Sequence, residues 1–235
     1  MEQPNSPEAA ADRVLDAALM HVAFDGWTDA TFRAAIADSG VDTSLAKALF
    51  PRGGLDLAIA YHRRGDNLMR EALAKTDLSS MRFRDRVAHA VRLRIEAVED
   101  REAVRRGTTL FALPLNAAEG ARLIWGTADA IWDALGDTSR DLNWYTKRAT
   151  LSGVYSSTVL YWLGDDSLGN QATWDFLDRR IEDVMRFEKV KAQLRENPLS
   201  KAILSGPLKF MENIRRPVVP DDLPGRVMDR FRPKS

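Results

Sequence analysis

The stretch that decides the fold is residues 13–51, RVLDAALMHVAFDGWTDATFRAAIADSGVDTSLAKALFP. In its first part, apolar side chains recur at helical spacings of three and four, at Val14, Ala17, Ala18, Met20 and Phe24. Gly26 ends that helix, and Gly40 marks a turn between the two shorter helical patterns that follow. A tight turn between two short helices, preceded by a longer one, predicts a helix-turn-helix.

The remainder of the chain continues the helical pattern. We predict further helices over about 54–74, 82–100, 102–112, 115–135, 140–163 and 168–195. Glycine and proline fall between these segments, where helices end, and no segment has the alternation of a strand. The sequence therefore predicts an all-α protein.

Composition excludes several classes of function. The 235 residues include no Cys, which rules out disulfides, thiolate catalysis and iron–sulfur clusters. The three His are far apart, and none of the common nucleophile, nucleotide-binding or zinc-protease motifs occurs. Asp85 and His89 stand four residues apart and are compatible with a metal site, but a local hydrogen bond explains them better. We expect no catalytic residues, no metal and no cofactor.

Two of the predicted helices are unusually apolar. Segments 115–135 and 140–163 hold four of the six Trp, and the second is apolar around most of its circumference. Such a helix belongs in a core, in a dimer interface or in a lipid-lined pocket. The sequence leaves these three alternatives open.

Residues 13–62 resemble the N-terminal domain of TetR-type regulators, with an opening helix, a Gly-aromatic turn, a helix-turn-helix and a closing Phe50-Pro51. The resemblance implies a TetR-like helical bundle. The helix that would read DNA begins at Asp42 and carries a single cation, Lys47, and residues 1–50 have a net charge of −5. Because DNA affinity depends on contacts from Lys and Arg to phosphates, this helix-turn-helix is degenerate, and a DNA-binding transcriptional regulator is the alternative function.

A second resemblance covers residues 107–186. Its elements are Trp132, Gly136-Asp137, the string Asp141-Leu142-Asn143-Trp144-Tyr145-Thr146-Lys147-Arg148, Tyr155, Asp166-Ser167, Trp174, Phe176-Leu177 and Arg180. This pattern is similar to the accessory (Coq-nine) lipid-binding family of ubiquinone biosynthesis. Together with the front end, the resemblance spans roughly residues 10–190.

The resemblance implies a non-catalytic protein that binds an isoprenoid quinone intermediate or a phospholipid and presents the intermediate to the demethoxyubiquinone hydroxylase. It further implies a homodimer that is peripherally bound to the membrane and has no nucleic-acid partner. In the family, positions that match Trp144, Tyr145 and Arg148 form a surface patch for the hydroxylase, although a core Trp144 is the alternative. We expect the lipid cavity to be lined by Trp125, Trp132, Leu151, Tyr155 and Trp162.

The C-terminal part is predicted to be an amphipathic membrane-contact helix. Apolar and basic side chains recur there with helical spacing, at Leu199, Lys201, Ile203, Leu208, Lys209 and Met211. This is typical of a helix that lies on an anionic membrane surface, although a helix packed on the dimer is the alternative. We thus divide the chain into a helix-turn-helix region (1–52), a lipid-binding and dimerisation core (53–196), the membrane-contact segment (197–216) and a disordered tail (217–235).

The N-terminus predicts a location. The first twelve residues carry acidic but no basic side chains, unlike a transit peptide or the charged start of a signal peptide. We therefore expect a bacterial cytoplasmic protein that associates peripherally with the inner membrane.

Overall fold

The structure is a computed structural model that describes residues 6–98, 100–140 and 142–196, with side chains up to residue 186. The predicted membrane-contact and tail segments lie outside the described residues. In the part described, the chain forms α-helices and one short 3-10 turn, without strands. The helices are α1 (Pro7–Asp25), α2 (Asp29–Ser39), α3 (Thr43–Leu49), α4 (Gly54–Lys75), α5 (Phe83–Glu96), α6 (Arg101–Ala112), α7 (Ala117–Ala134), α8 (Leu142–Leu163) and α9 (Gln171–Glu196).

Polar side chains fix where several helices begin. Ser6, Thr28, Asp42 and Asp100 precede α1, α2, α3 and α6, and each accepts a hydrogen bond from a backbone N–H of the first turn. A side-chain oxygen at this position satisfies donors that the helix itself leaves unpaired. The all-α prediction is therefore confirmed for the described residues, and the helix boundaries follow from local chemistry.

The helix-turn-helix forms where the sequence predicts it. Gly40 has φ 65° between α2 and α3, a left-handed conformation that suits glycine. α1 packs against α2 and α3, and its buried face consists of Ala10, Val14, Leu15, Ala18 and Val22. The predicted apolar stripe of α1 is wrong in one respect, because Met20 and Phe24 are 75% and 84% exposed.

Two hydrophobic cores organise the described chain. One joins α1–α3 to the start of α4 and to α6 through side chains such as Val14, Trp27, Leu57 and Ala103. The other lies among α4, α5, α7, α8 and α9. Helices α4 and α6 have residues that pack against each of the two cores. A cavity lies where these two helices meet α5, α7 and α8.

Two predicted boundaries are corrected. The helix expected over 82–100 ends at Glu96, and α6 restarts at Arg101 behind the cap of Asp100. The helix expected from 168 starts at Gln171, because Gly169 and Asn170 both have positive φ, which interrupts a regular helix. No helix among the described residues is both long and apolar enough to cross a bilayer.

Candidate functional site: an apolar cavity with a polar floor

The large cavity, of about 400 Å³, lies between α4, α5, α6, α7 and α8. This volume falls in the range of small-molecule sites in proteins. Its wall is mostly apolar and includes the aromatic side chains of Trp27, Tyr61, Phe111, Tyr155 and Trp162. Leu160, which is 59% exposed, is also part of the lining, so the cavity reaches the molecular surface along α8.

Polar contacts fix the positions of two aromatic side chains in the wall of the large cavity, Trp27 and Trp162. The indole N–H of Trp27 donates to the carbonyl oxygen of Ala103 at 2.9 Å. The Arg101 guanidinium lies 4.6 Å from the ring centroid of Trp162 and donates to the carbonyl oxygen of Asp165. Aromatic rings fixed in this way provide a rigid apolar surface that loses little entropy when a ligand binds.

One end of the cavity is polar. Arg94 on α5 donates from Nε to Oδ1 of Asp66 on α4 at 2.6 Å, and both side chains are at most 9% exposed. Thr127 on α7 donates to the same carboxylate at 2.8 Å, and Nε2 of His62 lies 2.8 Å from the Thr127 hydroxyl. We call these four residues the Arg94 cluster; His62 and Arg94 line the cavity directly.

The hydrogen bonds fix the tautomer of His62. Thr127 has one hydroxyl hydrogen, which it donates toward the Asp66 carboxylate or the carbonyl oxygen of Leu123, and the Tyr155 phenol is a further hydrogen-bond partner of the same hydroxyl. The hydroxyl therefore accepts from His62, so Nε2 carries the imidazole hydrogen and Nδ1 keeps a lone pair. Burial, together with the charge of Arg94, lowers the pKa of His62 to about 4, so the ring is neutral at physiological pH.

A glycine makes room for the arginine. A Cβ built on Gly65 of α4 would lie 2.4 Å from Nη1 of Arg94 and 2.6 Å from Cζ. Arg94 also donates from Nη2 to the carbonyl oxygen of His62 at 2.9 Å, and it lies 5.7 Å from the ring centroid of Tyr155. Burial raises the pKa of the Tyr155 phenol. The guanidinium is thus held in place by Asp66, by the His62 carbonyl oxygen and by the surface of α4 at Gly65.

A small cavity of about 240 Å³ lies between α5, α7, α8 and α9. Its lining includes Phe83, Trp132, Leu151, Val154 and Ile181. Trp132 stacks on Phe83, with 5.7 Å between ring centroids, and donates from its indole N–H to the carbonyl oxygen of Lys147. The small cavity shares no lining residue with the large one.

The five residues predicted to line one lipid cavity are divided by the structure. Tyr155 and Trp162 line the large cavity, whereas Trp132 and Leu151 line the small one. Trp125 is in the lining of neither; it lies 5.9 Å from Trp144 between ring centroids. α8 is long enough to contribute to both cavities, with residues between 143 and 154 at the small one and residues between 155 and 162 at the large one. The prediction of a single site is therefore corrected to two.

The residues of the predicted partner patch have different environments. Trp144 is 7% exposed and Arg148 is 0% exposed, whereas Tyr145 is half-buried. The rings of Trp144 and Tyr145 meet edge to face at 4.8 Å, and half-buried Trp125 lies 6.4 Å from Tyr145. Tyr145 and Trp125 are the members of this aromatic cluster that reach the surface, and the buried ring of Trp144 packs against both of them.

Arg148 is a buried residue that is paired with aspartates and is not a surface cation. It donates to Asp129, to Asp133 at 3.2 Å and to Asp137 at 3.0 Å, and its Cζ lies 4.2 Å from the ring centroid of Trp144. We call Arg148 and these three aspartates the Arg148 cluster. The aspartates follow one another at intervals of four along α7 and the turn after it, so they share a face. The expectation that Arg148 is exposed is wrong; a role of this region in partner binding stays a prediction.

The Arg94 cluster was missed by reasoning from sequence. A faint signal existed, since His62 and Asp66 are four residues apart in a predicted helix and hence on one face. Arg94 and Thr127, however, are 28 and 61 residues away from Asp66, and no local pattern indicates such partners. The membrane-contact residues Leu199, Lys201, Ile203, Leu208, Lys209 and Met211 lie outside the described residues.

Comparisons with known proteins identify relatives of this chain. Residues 117–188 match the family model COQ9. The chain is 29% identical to "Ubiquinone biosynthesis protein COQ9, mitochondrial" of Rattus norvegicus over 87% of its own length and 67% of the relative. It is 31% identical to the protein of the same name from Drosophila melanogaster over 79% of its own length and 58% of the relative. The chain thus spans 58–67% of the length of these relatives.

A solved structure agrees with the front end of the chain. The TetR transcriptional regulator from Nitrosomonas europaea ATCC 19718 superposes with a TM-score of 0.62 at 18% identity. The match covers 74% of this chain and 97% of that one. At this level of identity the likeness shows the fold alone, and it confirms the predicted TetR-like bundle.

The predicted location is corrected by the relatives. Those from rat, Drosophila, human and Dictyostelium are all named as mitochondrial proteins. This contradicts the expectation of a bacterial protein at the inner membrane. That expectation depended on the first twelve residues, and the start of a chain that spans only part of its relatives carries no such conclusion.

Proposed function

We propose that this chain, whose residues 117–188 match the COQ9 family model, acts in ubiquinone biosynthesis as an accessory protein that binds an isoprenoid quinone intermediate. The large cavity carries this proposal. It offers about 400 Å³ lined mainly by apolar and aromatic side chains. A polyprenyl tail gains about 0.8 kcal/mol for each CH₂ removed from water, so transfer out of a bilayer requires an apolar protein environment of this kind.

The same argument supports a binding protein over an enzyme. The polar side chains of the large cavity form hydrogen bonds within the Arg94 cluster or, like Tyr61, donate to a backbone carbonyl, and among the described residues only His62 and Arg94 keep a group that can bind a ligand. The sequence has no cysteine and none of the nucleophile or metal motifs. We therefore assign the chemistry to a partner enzyme, the demethoxyubiquinone hydroxylase, to which this chain presents its ligand at the membrane surface.

Filling the large cavity tests the binding function. Gly107 lines it, and a Cβ there would lie 3.5 Å from Nε1 of Trp27, which is ordinary contact. Gly107→Leu therefore projects an isobutyl group toward the ligand space. Native mass spectrometry of the purified chain should find an isoprenoid or a phospholipid bound to the unsubstituted protein and little or none bound to Gly107→Leu.

Gly153→Leu is the matched control. Gly153 is an exposed glycine of α8, and a Cβ there meets nothing within 4 Å. This variant should retain its lipid. An empty unsubstituted protein, or equal lipid content in both variants, contradicts binding in the large cavity.

The aromatic cluster of Trp125, Trp144 and Tyr145 is the proposed contact with the hydroxylase. Tyr145 is half-buried, so its ring is partly available to a partner, and interfaces favour such aromatic anchors. Tyr145→Ala should weaken co-purification with the hydroxylase while the fold persists. Phe24→Ala, which removes an aromatic ring that is 84% exposed on α1, is the control; equal effects of the two variants contradict a specific contact at Tyr145.

A homodimer through the last long helices is part of the proposal. On α8, Leu160 and Tyr161 are 59% and 41% exposed, and Tyr161 stacks on Phe176 of α9 with 4.5 Å between ring centroids. Contiguous exposed apolar side chains of this kind indicate an interaction surface. The mass of one chain is 26.3 kDa. Light scattering of the purified protein should give twice this mass, and Leu160→Glu should lower the measured mass.

DNA binding is a second candidate, because the fold resembles a TetR regulator. The surface of α3 does not favour it. Asp42 caps this helix by accepting from the N–H groups of Ser44 and Leu45, which a phosphate would otherwise approach, and Lys47 is the single cation in the helix. A binding assay on duplex DNA at low salt should detect no specific complex; a specific complex at physiological salt would favour the regulator.

A further inference from the structure

The polar floor of the large cavity keeps hydrogen-bonding capacity that no described residue uses. His62 directs Nε2–H to Thr127, with the Leu123 backbone carbonyl as a further hydrogen-bond partner of the ring, so the lone pair of Nδ1 is left for a ligand. Arg94 uses Nε for Asp66 and Nη2 for the His62 carbonyl oxygen, and its Nη1 donates to none of the described residues. Because both side chains line the cavity, the floor presents one acceptor and one donor group to whatever enters.

The floor is also electrically balanced. The positive charge of Arg94 is paired with the negative charge of Asp66, and both groups are buried. Burial keeps the pKa of His62 near 4, so the imidazole adds no charge. A phosphate placed here would be a buried anion without a counter-ion, which is strongly unfavourable. A neutral group that donates and accepts hydrogen bonds would satisfy the floor without adding charge.

We propose that the Arg94 cluster binds the head of an amphiphile whose head is neutral and oxygenated, and that it discriminates against anionic phosphate heads. In this arrangement a hydroxyl of the ligand donates to Nδ1 of His62, and a ligand oxygen accepts from Nη1 of Arg94. The apolar tail extends along Trp27 and Trp162 toward the surface at Leu160. This inference rests on the proposed lipid-binding function and assigns the direction in which the ligand lies.

Thr127 and Gly65 are positioning residues in this scheme. Thr127 holds the His62 tautomer that leaves Nδ1 free to accept, and it does so from a fully buried position. Gly65 leaves the space in which the Arg94 guanidinium lies flat against α4. Neither side chain is required to touch the ligand.

The test compares two probes that share one tail and differ in the head. Farnesol has a neutral hydroxyl, and farnesyl phosphate has an anionic head; both are titrated into the lipid-stripped full chain, with its intrinsic tryptophan fluorescence as the signal, because Trp27 and Trp162 line the cavity. Farnesol should bind at least tenfold more tightly. His62→Phe should weaken farnesol about three- to tenfold, the effect of one neutral hydrogen bond, and leave farnesyl phosphate unchanged.

Ser157→Ala is the matched control. Ser157 follows on the same helix but lines neither cavity, and its hydroxyl donates to the carbonyl oxygen of Val154. This variant should bind both probes as the unsubstituted chain does. Equal losses in Ser157→Ala and His62→Phe would overturn the assignment.

A measurement without substitution covers the case in which His62→Phe fails to fold. The chain has three His, so their ¹⁵N imidazole signals can be assigned individually. Farnesol should shift the Nδ1 signal of His62 and leave those of His21 and His89 in place. An unmoved His62 signal at saturation, or tighter binding of farnesyl phosphate, overturns head recognition while lipid binding stands. If neither probe binds, the proposed function fails and this inference fails with it.

Discussion

Arg94 and Arg148 are both buried arginines that join two helices, but they use the guanidinium group differently. Arg148 contacts three aspartates and lies on the face of Trp144, so its donors are directed to protein acceptors. Arg94 contacts one aspartate and one carbonyl oxygen and borders the large cavity. A buried arginine whose donors are all engaged holds the fold together, whereas one with a donor facing a cavity is also able to bind a ligand.

The two clusters also differ in how their carboxylates are supported. Asp137 of the Arg148 cluster has a second cation, Lys147 at 2.7 Å, and the side chains of Asp129 and Asp133 are 34% and 51% exposed. Asp66 of the Arg94 cluster is 9% exposed and has Arg94 as its close cation, with His62 at 3.8 Å held neutral. Removing the cation should therefore destabilise the Arg94 cluster more than the Arg148 cluster.

The largest effect is expected from removing each arginine. Arg94→Met leaves Asp66 buried without a cation and should lower the free energy of unfolding by about 3–5 kcal/mol. Arg148→Met leaves carboxylates that retain Lys147 or water, so we expect a loss of about 1–3 kcal/mol. Urea unfolding followed by circular dichroism measures both values.

The double variant Arg94→Met/Asp66→Leu is the control for this comparison. Replacing both partners removes the uncompensated charge and should recover most of the stability lost in Arg94→Met. A larger loss in Arg148→Met than in Arg94→Met, or a double variant no more stable than Arg94→Met, contradicts the asymmetry.

The pH dependence should separate the two clusters. The folded pKa of His62, about 4, is below its ordinary value of 6.5, because burial disfavours the charged ring. The unfolded chain therefore binds the proton first, and stability falls as the pH decreases from 6.5 to 4, by roughly 3 kcal/mol. In the Arg148 cluster, burial opposes ionisation of Asp137, but hydrogen bonds from Lys147, Ser139 and Arg148 hold its pKa well below the ordinary value.

Asp137 thus contributes stability above its unfolded pKa of about 4, and this contribution is lost only at lower pH. Urea unfolding at pH 7, 5 and 3.5 measures both windows. His62→Phe should flatten the change between pH 7 and 5, and Asp137→Asn should reduce the change below pH 4. If His62→Phe retains the full slope above pH 4, His62 is not neutral in the folded protein.

The sequence predicts the Arg148 region better than the Arg94 region. Residues 141–148 follow a family pattern, and Trp144 and Arg148 stand on one helical face, so their proximity was predictable. Their burial was not, because the three aspartates that surround Arg148 are on another helix or in the turn after it. A local pattern places residues on a face of a helix but does not state what covers that face.

The helices themselves were predictable because their signals are local. Caps such as Asp42 and Asp100 and the glycine at position 40 determine where helices begin and end within a few residues. The large cavity depends on five helices between α4 and α8, and its floor joins residues 28 and 61 positions apart. Such contacts arise from tertiary packing, and for that reason Trp132 and Leu151 were assigned to the wrong cavity.

A glycine substitution next to Arg94 tests the same comparison with a smaller expected change in the free energy of unfolding. Gly65→Ala places a methyl group 2.4 Å from Nη1 of Arg94, which Asp66 and the His62 carbonyl hold in place. We expect a loss of about 1–3 kcal/mol from overpacking, even though alanine favours helices. Gly126→Ala, in the interior of α7 with nothing within 4 Å, should gain about 0.5–1 kcal/mol. Thermal melts of both variants measure this, and a stabilised Gly65→Ala would show that Arg94 is free to move.

The smallest effect concerns the hydroxyl groups that donate to each buried carboxylate. Thr127 donates to Asp66, and Ser139 donates to Asp137, both at 2.8 Å. Thr127→Val removes a fully buried hydroxyl and leaves His62 Nε2–H without its acceptor, so we expect a loss of about 1–2 kcal/mol. Ser139→Ala leaves Asp137 with Lys147 and Arg148 and should cost about 0.5 kcal/mol.

The same pair distinguishes a binding cluster from a structural one. Without the Thr127 hydroxyl, the imidazole hydrogen of His62 is free to move from Nε2 to Nδ1. Because Nδ1 then no longer accepts a hydrogen bond from the ligand, farnesol affinity should fall about threefold in Thr127→Val. Ser139→Ala lies in the turn after α7, outside the lining of the large cavity, and should leave farnesol affinity unchanged. Titration of farnesol into both variants measures the difference. If Ser139→Ala weakens farnesol as much as Thr127→Val does, the two clusters are coupled, and the large cavity is not governed by the Arg94 cluster alone.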